Sequence, residues 1–389
     1  MDFESAFNRF REPSIGGRYL HLGHVQPLIE RFRAFGQVTV IGQSVNGAPL
    51  QVCIAGEGNT KILMWSQMHG NESTTTKALF DLFNWLQSGD AVAQSWLASF
   101  TLYMVPMLNP DGAKAYTREN ANGIDLNRDF LNLSQPESRA LLDYFHTLNP
   151  DFCFNLHDQR TIYGAGESGK PATVSFLSPS FNEARDVSPA RIRAMNVIAA
   201  MNDTLQSMIP GQIGRFDDSF NRNCVGDTFQ WHNVPTILFE AGHFPEDYQR
   251  ETTRKFIFTA LASGLTAICE NVIVNNRIDD YLNIPQNKIN FLDFVYKNIS
   301  INCDGIKKIT NFGAQFSEVL RNGDIAFEAV IAETEIPDQV FGHVVFDGLG
   351  ERYRDGVSDQ PIAGRKADFF IGNRKFTNGT EVDSVSGKP

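Results

Sequence analysis

The chain lacks any long apolar run: nowhere do roughly 20 consecutive apolar residues, enough for a membrane-spanning helix, occur together, so no membrane insertion is expected. Its opening, MDFESAFNRFREP, lacks the basic start, apolar stretch and small-residue cleavage site of a secretory signal. Taken as the native start it points to a cytoplasmic protein, although a chain trimmed of its signal would look the same. Cysteine is scarce and scattered. Cys53, Cys153, Cys224, Cys269 and Cys303 are odd in number and form no CxxC pair, which argues against a disulfide framework or a thiolate metal site and for reduced thiols. Basic residues form no block or stripe and the formal net charge is −11, so nucleic acid is not an expected partner. No internal repeat or low-complexity stretch is present.

What remains is ordinary for a folded protein, with 42% hydrophobic and 20% charged residues. The 389 residues exceed the roughly 250–300 at which single cores stop growing, so a large domain and a smaller one are expected. The pattern changes about two-thirds of the way along. Strands alternate with helices up to about Asn275, and strands with turn signals dominate from about Ile284, giving domains at 1–275 and 284–389.

In the first segment VTVIG and LQVCIAG flank the turn dipeptide Asn46-Gly47, and KILMWSQM reads as a buried central strand. Ala78, Leu79, Leu82, Phe83 and Leu86 recur at helical spacing, followed by the strand FTLYMVPM. A capping-box pair, Ser134 and Glu137, with Pro136 in the first turn, predicts a helix start. The strand DFCFNL follows, then a helix from Ser188 to Met208, the strand TILFEA and a helix from about Asp247 to Val272. Such alternation predicts an α/β sheet covered on both faces. In the second segment Asn322-Gly323 and Asn378-Gly379 sit at hairpin positions, and a small β-sandwich is expected.

Three strand ends carry the chemistry. His69 and Glu72 form an HxxE pair just after KILMWSQM, His157 ends DFCFNLH, and Glu240 closes TILFE. In an α/β sheet the carboxyl ends of strands are where ligands bind, and a carboxylate closing an apolar strand is costly without a partner or a purpose. Two imidazoles and one carboxylate with a fourth position left for water suit a hydrolytic zinc ion, which lowers the pKa of bound water toward about 7. The polar loop between these pieces holds Arg118, Asn127 and Arg128, which beside an anionic substrate become a carboxylate fork.

Taken together, HGNE, NPDG followed by Arg118, DLNR, the strand-ending LH and the strand-ending FE occur in the order found in the zinc carboxypeptidase family, and the sequence resembles that family from about Tyr19 to Val272. The resemblance implies a mixed sheet flanked by helices, with one Zn²⁺ held by His69, Glu72 and His157. It implies Arg118 steadying the oxyanion, Asn127 and Arg128 gripping the substrate's terminal carboxylate, and Glu240 taking a proton from the zinc water and passing it to the leaving amine. The expected activity is that of a metallocarboxypeptidase on peptides.

Two departures leave substrate alternatives open. Asn71 stands inside HGNE where digestive members carry arginine, which is similar to the acylase-like branch and admits a small N-acyl amino acid or a cell-wall peptide as substrate. No tyrosine lies between Tyr163 and Tyr248, where digestive members carry a capping tyrosine; Phe216 and Phe220 lie there, and Arg215, Arg222 or His243 are candidate substitutes. Asp227 would favour a basic side chain in the leaving-group pocket, or else cap the short helix DTFQWH. A binding module that has lost catalysis is the alternative of another class, against which the intact Glu240 argues.

Overall fold

The computed structural model describes residues 2–271, 276–303 and 305–382. Unit 1 comprises Met1–Arg160 with Ala172–Asn287, and unit 2 comprises Thr161–Pro171 with Lys288–Pro389. The division differs from the expected break between 275 and 284. The helix Ile278–Leu282 belongs to unit 1 because Tyr281 is buried in its core and its hydroxyl accepts from the Ser178 N–H at 3.1 Å. The excursion after His157 belongs to unit 2. There β6 (Tyr163–Ala165) pairs with β10 (Asn287–Ile289), and Gln315 donates to the Thr161 hydroxyl at 2.6 Å.

Unit 1 is built on β1 (Gln37–Gln43), β2 (Pro49–Ala55), β3 (Thr60–Ser66), β4 (Phe100–Val105), β5 (Phe152–Asp158), β7 (Val174–Leu177), β8 (Ile213–Arg215) and β9 (Thr236–Ala241). They form one sheet in the order β1-β2-β4-β3-β5-β9-β7-β8. The central strands β4, β3, β5 and β9 run parallel and are apolar along their length, since helices cover both faces; β2 joins antiparallel on one side and β7 on the other. From β3 the chain goes to β4 on one flank and then to β5 on the other, the kind of reversal at whose carboxyl strand ends α/β sheets bind ligands.

The helices follow the apolar spacing. Thr74–Leu86 buries nearly every residue, and Pro189–Gln206 and Glu251–Cys269 cover the same face of the sheet in one core. The last of these ends before Val272, which lies outside the described residues. The capping box does not form. Gln135 precedes the helix Pro136–Leu148 without a side-chain cap, because Asp129 takes the Ser134 hydroxyl at 2.6 Å and the Gln135 N–H at 2.9 Å, while Glu137 accepts from the Val45 N–H at 3.0 Å.

The N-terminal segment is tied to unit 1 through Glu12. Its carboxylate accepts from the Ser14 N–H at 3.0 Å, the Ser14 hydroxyl at 2.6 Å and Asn84 at 3.2 Å, and pairs with Arg31. Burial alone would raise its pKa, but these donors outweigh it and hold the group at about 2. A folded-state pKa below the unfolded one means that the stabilisation is complete above the unfolded value of 4.5 and is lost as pH falls through about 2. Glu12→Gln is therefore expected to lower stability near pH 7 by about 1.5–3 kcal/mol, the value of hydrogen bonds to a charged group. Thermal melts should show the gap between the two proteins closing from pH 4.5 downward, and a pH-independent gap would contradict this.

Unit 2 has two four-stranded sheets. One is β13 (Asp324–Glu333), β12 (Ile306–Arg321), β11 (Phe291–Cys303) and β14 (Phe341–Asp347); the other is β15 (Tyr353–Arg354), β16 (Phe369–Ile371), β17 (Arg374–Thr377) and β18 (Thr380–Val382). They share an aromatic core in which Tyr296 stacks on Phe312 and meets Phe369 edge-on. Both Asn-Gly dipeptides turn hairpins with positive φ at each residue, at 52° and 82° for Asn322-Gly323 and at 50° and 84° for Asn378-Gly379.

Candidate active site

Two glycines let the motif loops approach each other. A Cβ on Gly70 would lie 2.0 Å from the Gly112 carbonyl carbon, and one on Gly112 would lie 2.4 Å from the Glu119 oxygen. HGNE can therefore rest directly on NPDG, whose Asn109 caps the helix Pro110–Ala115 through the Gly112 N–H.

His69, Glu72 and His157 converge, with their ligand atoms all within 4.8 Å of one another and all three side chains buried. The Nδ1 atoms of the two histidines stand 3.1 Å apart, and each lies 2.8 Å from a different oxygen of Glu72. On its other side His69 presents Nε2 to Asp125 Oδ1 at 2.9 Å. Both ring nitrogens of His69 thus face carboxylates, which only accept; with a cation held at Nδ1, neutral His69 would carry its proton on Nε2, toward Asp125. Lone pairs of two imidazoles and a carboxylate aimed at one point fit a divalent cation with zinc's preference for nitrogen and oxygen donors. Burial favours neutral His157 and lowers its pKa, whereas for His69 the carboxylates of Glu72 and Asp125 outweigh burial and raise it. Burial works against ionised Glu72, yet the two histidines overcome it and hold the carboxyl well below the usual range.

Arg118 donates to Glu72 Oε1 at 3.2 Å and to Asp125 Oδ2 at 3.1 Å, so it borders the ligand set. Glu240 is placed by strand register: β5 and β9 pair His157 with Glu240 directly. One of its oxygens, Oε2, is buried without a hydrogen-bond partner among the described residues. Burial, then the nearby charges of Glu72 and Asp158, push its pKa well above the usual carboxylate value.

Asn127 and Arg128 join the start of the helix Val225–Trp231. Asn127 Oδ1 accepts from the Val225 N–H at 3.0 Å; Arg128, exposed, donates to the Asn127 carbonyl at 2.7 Å and to Cys224 Sγ at 3.1 Å. Arg128 has no carboxylate partner among the described residues. Asp227 sits in the first turn of that helix and does not cap its end; it accepts from the Asn221 N–H at 3.1 Å, and burial pushes its pKa up to about 7.

Two residues escaped the sequence reading. Asp125 opens DLNR, two positions before Asn127, and its spacing gave no hint that it would orient His69. Asp158 follows His157 directly and turns its carboxylate to the N–H groups of Thr74 and Thr75 at 2.9 and 3.3 Å, fixing the start of the helix that follows Glu72.

Residues 25–209 match the zinc carboxypeptidase family model. Carboxypeptidase SOL1 of Arabidopsis thaliana is 35% identical over 138 residues, covering 30% of this chain and 28% of that protein. Carboxypeptidase M of Mus musculus is 26% identical over 190 residues, covering 42% and 43%. The matched stretch is thus less than half the length of either relative. Among solved structures, metallo-carboxypeptidases from Burkholderia cenocepacia and Pseudomonas aeruginosa superpose with TM-scores of 0.51 and 0.52 at 18% identity, each covering 64% of this chain and 69% of the other, which establishes likeness of fold. Unit 1 has the fold of these metallo-carboxypeptidases, and its residues 25–209 are similar to the zinc carboxypeptidase family. The match contains His69, Glu72, Arg118, Asn127, Arg128 and His157 but ends before Glu240 and Asp227, whose placement in unit 1 rests on the structure. Among the described residues no helix is long and apolar enough to cross a membrane.

Proposed function

We propose that the chain is a zinc metallocarboxypeptidase that hydrolyses the last peptide bond of a free-ended peptide. The observation that carries the reading is the convergence of His69 Nδ1, His157 Nδ1 and the Glu72 carboxylate, with the unpartnered oxygen of Glu240 on the neighbouring strand. One zinc ion at the three ligands would supply Lewis acidity toward water and the scissile carbonyl. Glu240 would take a proton from the attacking water and return it to the leaving amine. Arg118 would give donors to the oxyanion, and Asp125 would keep His69 in the tautomer that ligates.

The exposed guanidinium of Arg128, steadied by Asn127 and Cys224, would take the substrate's terminal carboxylate, and Asp227 is a candidate wall of the leaving-group pocket. Loss of a charged hydrogen bond costs about 1.5–3 kcal/mol, and each 1.4 kcal/mol is tenfold. Arg128→Met is therefore expected to raise KM for a free-ended peptide by about 10–100-fold. An unchanged KM would remove Arg128 from carboxylate recognition. A cytoplasmic setting is supported by five unpaired cysteines.

A further inference from the structure

We propose that Arg250 is a positioning residue for this site: its guanidinium braces the ends of the two strands that carry His157 and Glu240, and so sets the metal ligands against the proton-transferring carboxylate. This rests on the function proposed above. β5 and β9 pair His157 with Glu240 and Asp158 with Ala241, and the Gln159 N–H adds one more rung to the Ala241 carbonyl at 2.8 Å. There the ladder stops. Arg250 continues it from the side, Nη1 donating to the Ala241 carbonyl at 2.6 Å and to the Gly242 carbonyl, and Nη2 to the Gln159 carbonyl at 2.9 Å.

One planar fork thus joins both strand ends, two residues past His157 and one past Glu240. A lysine, with a single nitrogen, cannot span them in the same way. The strand end is closely packed here: a Cβ on Gly242 would lie 2.0 Å from the Ala172 oxygen and 2.4 Å from Gln159 Nε2.

The backbone is shaped for this. Arg250 has φ 61°, a left-handed conformation unfavourable for arginine, and its side chain leaves the helix that it precedes. Asp247 caps that helix instead, accepting from the N–H groups of Glu251 and Thr253 at 2.9 and 2.8 Å. Arg250 is 1% exposed, it donates to three strand-end carbonyls, and its charge also acts on Asp158 and Glu240. Arg254, in the next turn, is equally buried but pairs with Asp81, as a structural ion pair does. Strain and burial together mark Arg250 as held in place for the strand ends.

The test compares Arg250→Met and Arg250→Lys with wild type, using Arg254→Lys as a variant that loosens the same helix at its Asp81 end. Zinc affinity is measured by competition with a chelating dye, and kcat and KM per folded molecule at a temperature where circular dichroism shows each protein folded. Outer-shell partners of metal sites are worth about 10–100-fold in affinity or activity. Arg250→Met is expected to bind zinc at least about tenfold more weakly and to lose at least about tenfold in kcat with KM within about threefold; Arg250→Lys falls between, and Arg254→Lys lowers only the melting temperature. Wild-type zinc affinity and kcat in folded Arg250→Met would overturn the proposal. The zinc titration needs no substrate, so a wild type that cuts no peptide would sink the carboxypeptidase reading while the brace is still judged by metal binding.

Discussion

Glu240→Gln is expected to bind zinc as tightly as the wild type and to turn over at least about 10²–10⁴-fold more slowly, the range of general acid–base catalysis. The substitution keeps the shape of the side chain and removes only its capacity to accept and release a proton. Glu240 lies beside His157 in the sheet, and its Oε2 has no hydrogen-bond partner among the described residues, so the substitution breaks no hydrogen bond of that oxygen among them. Burial is the main cause of its raised pKa and the charge of Glu72 the second. Neutralising that charge at the ligand set favours the ionised base, which is the form the reaction requires. Rates near wild type in a zinc-loaded Glu240→Gln protein would contradict the assignment of the base.

His157→Ala is expected to lose zinc outright. Among the described residues the candidate centre has three protein donors, and His157 supplies one of its two nitrogens. Removing it should cost more than the roughly 10–100-fold that follows loss of an outer-shell partner. Elemental analysis after gel filtration should find well under one zinc per chain, and turnover should fall with occupancy. A fully loaded, active His157→Ala protein would show that the metal site lies elsewhere.

The alternation of strands and helices in unit 1 was legible because apolar runs such as KILMWSQM and DFCFNL must be buried on both faces, and both Asn-Gly hairpins were legible from turn chemistry. Strand order was not, since nothing local in FTLYMVPM or DFCFNL says on which flank of β3 each will pair. The capping box at Ser134 failed because Asp129, five residues earlier, competed successfully for the same hydroxyl. The excursion at 161–171 reads as an ordinary loop until its partners, more than a hundred residues away, are known. At the site, His69, Glu72 and His157 were readable from motif and position at strand ends. Asp125 and Arg250 were not, because each acts through geometry: one through the back of an imidazole, the other through strand-end carbonyls that it reaches from a left-handed backbone position.

The central claim concerns substrate class, because a peptide with a free end and an N-acyl amino acid both offer a carboxylate to Arg128. The deciding measurement is mass spectrometry of a mixture of free-ended peptides, the same peptides amidated, and N-acyl amino acids, incubated with zinc-loaded protein and with Glu240→Gln. The account predicts that only the free-ended peptides lose their last residue and that the variant cuts none. Cleavage confined to the acyl amino acids, or equal cleavage of the amidated peptides, would contradict it.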